Sequence, residues 1–79
     1  MKVYAKFYQP DLTGKIVPAL GSESVAVLDG RFGLERLRED ARSILRSLAV
    51  VQPGYCGFVI YRGSRFGEGQ EVYREIPTR

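Results

Sequence analysis

Between Gly33 and Leu48 the apolar residues Leu34, Leu37, Ala41, Ile44, Leu45 and Leu48 recur at helical spacing and gather on one face. On a helical wheel they cover roughly 100° of arc, the width of a stripe that faces a core. No side chain that caps well precedes Leu34, and Gln52-Pro53-Gly54 forbids continuation past the far end. This single amphipathic helix constrains the fold more than any other feature. One helix can cover one face of a sheet and leaves the other face to find its own cover.

The flanking segments have the strand period. Val3 to Tyr8 alternates, is rich in β-formers, and ends at Gln9-Pro10-Asp11. Thr13-Gly14 opens an extended piece, Lys15 to Ala19, which Pro18 confines to an edge or a bulge. Val25 to Leu28 is a short apolar strand between the turn at 21–24 and Asp29-Gly30. Tyr55 to Arg62 and Glu71 to Ile76 flank the loop "GSRFGEGQ", whose glycines suit a hairpin longer than the tight two-residue kind. The expected architecture is α+β, in the order β-(β)-β-α-β-β. A single amphipathic helix packs on one face of a four- to five-stranded, mainly antiparallel sheet, and residues 1–79 form one small domain.

A chain of 79 residues is marginally stable unless a disulfide, a metal or association supports it. Cys56 is the only cysteine and there is no histidine, so neither an internal disulfide nor a zinc ligand set can be assembled. Association remains, and a homodimer or a protein partner is expected, with no metal and no cofactor. "MKVYAKFYQPD" lacks the apolar run of a signal peptide. The longest apolar runs, such as Val25–Leu28 and Phe58–Tyr61, fall far short of a membrane span. A free cysteine in a strand suits a reducing compartment, so the expected location is cytoplasmic and away from membranes.

Side chains alternate along a strand, so parity assigns faces. Val3, Ala5 and Phe7 fall together with Cys56, Phe58, Ile60, Val72 and Ile76 if these sets face the helix. Tyr4, Tyr8, Tyr55, Tyr61 and Tyr73, all five tyrosines of the chain, then share the other face with Val59. A tyrosine ring with a polar tip suits a surface that meets a partner. The expected partner-binding set is therefore Tyr4, Tyr8, Tyr55, Val59, Tyr61 and Tyr73. A shifted register in the closing hairpin would break this assignment.

The stretch "GYCGFVIY" invites comparison with the RNA-stacking signature K/R-G-F/Y-G/A-F-V-x-F/Y. Gly57, Phe58, Val59 and Tyr61 match, but the basic residue and the first stacking aromatic are missing. Parity also separates Phe58 from Tyr61, and the element order is wrong for that fold. The stretch reads as a plain strand. Lys6, Glu71 and Glu75 leave the tyrosine face neutral to slightly acidic by parity, unlike the cationic groove a single strand needs.

The net charge of +3 is modest, and the excess comes from the arginines after residue 30. Arg38, Arg42 and Arg46 form a ridge along the helix, where Glu35 and Glu39 can pair with Arg38 and Arg42. With Arg62 and Arg65 of the hairpin they make up the alternative reading, a weak nucleic-acid binder. The hairpin loop lacks the Gly-Lys-Ser/Thr ending of a phosphate-cradling loop. Acid–base chemistry would fall to carboxylates, tyrosine or Cys56, and no set of them converges in the sequence, so catalysis is not expected.

"VPALGS" (17–22) followed by "GLERLREDARSIL" (33–45) resembles the N-terminal domain of HicB-type antitoxins. In that family sheet strands and a proline-leucine-glycine turn precede a single amphipathic helix. The resemblance ends before the closing hairpin and implies a toxin as protein partner. The overall expectation is a non-catalytic interaction module that self-associates or binds a protein through its tyrosine face.

Overall fold

A computed structural model describes residues 2–21, 24–63 and 69–77. The elements are β1 (Val3–Pro10), β2 (Ile16–Pro18), β3 (Val25–Leu28), α1 (Leu34–Val51), β4 (Gly57–Gly63) and β5 (Gly69–Glu75). One helix packs on a five-stranded, antiparallel sheet, the α+β arrangement the sequence predicts.

The centre of the sheet is β1 beside β4, which pair from Val3↔Arg62 to Tyr8↔Gly57. On its other side β1 meets two strands end to end. Val3 to Lys6 pair with β3, and Tyr8 to Pro10 pair with β2. The two pieces are therefore one interrupted strand, which leaves the ladder after Pro18 and returns at Val25. Pro18 faces Tyr8 in a non-hydrogen-bonded pair, so its missing N–H points outward from the sheet edge, the place where a strand tolerates proline. Ala19 still donates its N–H to the Phe7 carbonyl at 2.9 Å.

Helix α1 begins at Gly33 with no side-chain cap, as the residues there lead one to expect, and the Gln52 amide closes it onto the Leu48 carbonyl at 2.8 Å. Leu37 and Ala41 are buried, and Ile44, Leu45 and Leu48 pack half-buried around the same core. Leu34 departs from expectation: it lies 40 % exposed in the uncapped first turn, so the stripe reaches the core one turn later, at Leu37. Beneath the helix lie Val3, Ala5, Phe7, Leu28, Phe58 and Ile60. Phe7 and Phe58 meet edge to face, with ring centroids 6.4 Å apart.

The register of β4 with β5 shifts in the middle. Ile60 pairs with Tyr73 but Tyr61 pairs with Glu71, so Val72 is an extra residue on β5. This β-bulge reverses the parity of the strand's second half. At the entry to β4 the backbones run close together. A Cβ on Gly57 would lie 2.6 Å from the Glu75 carbonyl oxygen, so no side chain fits there.

Candidate partner-binding face

Cross-strand partners share a face, so the observed pairs sort the side chains directly. On the face away from the helix, Val27, Tyr4, Tyr61 and Glu71 form one row across the sheet. Val25, Lys6, Val59 and Arg74 form the next. Pro18, Tyr8 and Gly57 form a third. Tyr4, Tyr8, Val59 and Tyr61 thus share the outer face as parity predicts.

Tyr73 does not. The bulge at Val72 places it beside Ile60 under the helix, where its ring lies 6.1 Å from that of Phe58. Tyr55 is also on the helix side, parallel to Phe7 at 6.4 Å and 7 % exposed. Its parity fails for a different reason. Pro53-Gly54 delays the strand, which starts only at Gly57, so alternation does not reach back to residue 55. The expected face of five tyrosines is therefore a face of three.

The same bulge changes the charge of both faces. Glu75 moves under the helix edge and Arg74 moves outward. The outer face carries Lys6, Arg74 and Glu71, one net positive charge where parity had assigned one net negative. On the other side, Arg42 grips Glu75 with its Nε 3.0 and 3.1 Å from the two carboxylate oxygens. Tyr73 donates its hydroxyl to Glu75 at 2.8 Å, and the Arg38 guanidinium lies over the Tyr73 ring at 4.8 Å. The Nε of Arg38 is buried with no hydrogen-bond partner among the described residues, so the ring face is its principal contact. On the helix itself the ion pair is Arg36–Asp40 rather than the expected Glu35–Arg38 and Glu39–Arg42 pairs. These arginines tie the helix to β5 instead of forming a free ridge.

Arg42, and then the Tyr73 hydroxyl, hold the Glu75 carboxyl at a pKa of about 2, against its ordinary 4.5. Its folded pKa is depressed, so the stability it contributes is present above about pH 4.5 and is lost as pH falls toward 2. Asp29, held at about 2 by Arg31, acts in the same window. Glu75→Gln should melt lower than the wild type at pH 7 and lose less on acidification to pH 2. Thermal unfolding across that range checks it, and parallel acid limbs for the two proteins would refute it.

The outer face is not flat. Tyr4 and Tyr61 stack at 5.6 Å, and both are buried, as is Val59. A cleft of about 250 Å³ opens beside them, with Lys6, Tyr8, Val59, Tyr61, Gly69, Glu71 and Arg74 in its wall. Val59 and Tyr61 make its floor. Tyr8 and Lys6 stand half-exposed on one side, and the Arg74–Glu71 pair stands on the other at 2.7 and 3.1 Å. The hydrogen bonds to Glu71 raise the already high Arg74 pKa, with a smaller contribution from the nearby Tyr8. Lys6 reaches Ser24 Oγ at 3.4 Å and has no carboxylate partner among the described residues.

Cys56 is half-buried with its Sγ 3.8 Å from the Tyr8 carbonyl, and burial pushes its thiol pKa up. That is the environment of an inert side chain. Among the described residues no group of three or more metal-ligating side chains gathers, and no helix is long and apolar enough to cross a membrane. The alternative arginine set does not converge. Arg38 and Arg42 are engaged as described, Arg46 and Arg62 are exposed on separate elements, and Arg65 lies outside the described residues. Phe58 is fully buried, so the partial RNA signature has no stacking ring at that position.

No known protein-family model, curated protein or solved structure matches the chain.

Proposed function

We propose that this chain is a non-catalytic protein-interaction module whose outer sheet face docks a protein partner. The observation that carries the reading is the cleft on that face. The buried Val59 and Tyr61 close its base, and its accessible wall is mainly polar, with Tyr8, Lys6 and the Arg74–Glu71 pair around it. Tyrosine and arginine are enriched at protein interfaces, and here a half-exposed Tyr8 and Arg74 stand on opposite sides of one cleft. The net positive rim favours a partner that presents acidic or neutral polar groups to the cleft. No specific observation favours the nucleic-acid reading, since the arginines it needs are dispersed or already engaged.

Site-specific photo-crosslinking in the producing cells tests the proposal. A photoreactive phenylalanine analogue at position 8 should yield a discrete protein adduct. The same analogue at position 46, on the exposed side of the helix, should yield none. Adducts that are the same at both positions, or absent at position 8, would reject the outer face as a docking site.

A further inference from the structure

We infer that the outer-face cleft is a carboxylate site, which holds an aspartate or glutamate side chain of the partner above Val59, between Lys6 and Arg74. The inference rests on that face being the docking site and adds the chemistry of the group it receives. Lys6, Val59 and Arg74 lie side by side in one row, on β1, β4 and β5. Neighbouring strands are about 4.8 Å apart, so about 10 Å separates the backbones of the two cations. Extended lysine and arginine side chains each cover half that gap. Val59 between them is short and buried, and the cleft opens above it.

The donors of both cations are only partly used. Glu71 takes the Nε and Nη2 of Arg74, which form one edge of the guanidinium. The other edge, through Nη1, makes no hydrogen bond among the described residues, and a guanidinium edge is a two-pronged fit for a carboxylate. Lys6 carries three donors, and its bond among the described residues is the long one to Ser24 Oγ at 3.4 Å. Tyr8, in the next row, stands near enough to Arg74 to act on it electrostatically and brings a hydroxyl to the same wall. Lys6, Arg74 and Glu71 together leave one net positive charge in the cleft, which a single carboxylate neutralises. A run of nucleic-acid phosphates needs several uncompensated cations, and this cleft has one. Because Glu71 offsets Arg74, Lys6 decides the sign of the site and is its specificity-determining residue.

Titration of the isotope-labelled protein with glutamate blocked as its N-acetyl α-amide tests the inference, with the blocked glutamine as the uncharged control. The blocked glutamate should shift the amide signals of Lys6, Tyr8, Val59 and Arg74 along saturating curves in the millimolar range, and the blocked glutamine should not. Lys6→Gln should weaken binding about threefold or more, and Glu71→Gln, which removes the competing carboxylate, should tighten it about threefold. The absence of a saturating shift in the wild type overturns the inference. Equal shifts with the two ligands, or binding that Lys6→Gln leaves unchanged, do the same. The comparison of the two ligands on the wild type needs no variant, so a substitution that fails to fold does not remove the test. The titration also uses no partner, which separates it from the crosslinking experiment. A carboxylate that binds while position 8 yields no adduct leaves the site's chemistry standing and rejects the docking reading. An adduct at position 8 without carboxylate binding rejects this inference and leaves the docking face.

Discussion

Phe58→Ala should lower stability by about 3–5 kcal/mol, the range for truncating a fully buried phenylalanine. The ring is fully buried and has aromatic neighbours on two sides. Phe7 meets it edge to face from β1, and Tyr73 lies tilted against it from β5. It is therefore the contact that holds the central strand pair and the closing hairpin to one core. Domains of this kind have only about 5–15 kcal/mol in total, and a small chain sits toward the low end. At about 4–8 °C per kcal/mol, the melting temperature should fall by about 12 °C or more. Phe58→Leu keeps much of the volume and should lose less than half as much. Thermal unfolding followed by far-ultraviolet circular dichroism checks both. A Phe58→Ala variant that melts within a few degrees of the wild type would mean that the helix-side core is not built around this ring.

Much of this architecture is legible in the residues. The helical stripe from Leu37 to Leu48 is visible because its period differs from everything around it. The two faces of β1, and Phe58 and Ile60 against Val59 and Tyr61 in β4, follow from alternation because those stretches are regular. Pro18 marks its segment as an edge strand, which is where the structure places β2. Alternation fails where the backbone departs from a regular strand. The bulge rests on one extra residue, and its only trace in the sequence is the adjacent apolar pair Val72-Tyr73 inside an otherwise polar strand. The Arg42–Glu75 pair joins residues 33 positions apart, and no local pattern announces it. The outer-face cleft was hidden for the same reason. Arg74 belongs to its wall only after the bulge has turned it outward. The self-burial of Tyr4, Val59 and Tyr61 is a matter of packing, which parity does not reach.

The bulge divides the tyrosines into two working sets, and the second large effect follows from that division. Tyr73→Ser removes a half-buried ring that packs on Phe58, strips Arg38 of the aromatic face it lies over, and deletes a hydrogen bond to Glu75. A cation–π contact contributes about 0.5–1 kcal/mol, and the lost packing of a half-buried aromatic adds more. The total should be about 2–3 kcal/mol, a fall of about 10 °C or more in melting temperature. Tyr8→Ser removes a half-exposed ring from the outer face, and substitutions of that kind usually cost within about 1 kcal/mol. Were all five tyrosines on one face, the two variants would behave alike.

The most direct test of the account is thus thermal unfolding of Tyr73→Ser and Tyr8→Ser side by side at neutral pH. The account predicts a large drop for Tyr73→Ser and a shift of a few degrees for Tyr8→Ser, because one tyrosine belongs to the core and the other to the outer face. Equal drops, or a larger drop for Tyr8→Ser, would contradict the division of the tyrosines between the helix-side core and the outer face.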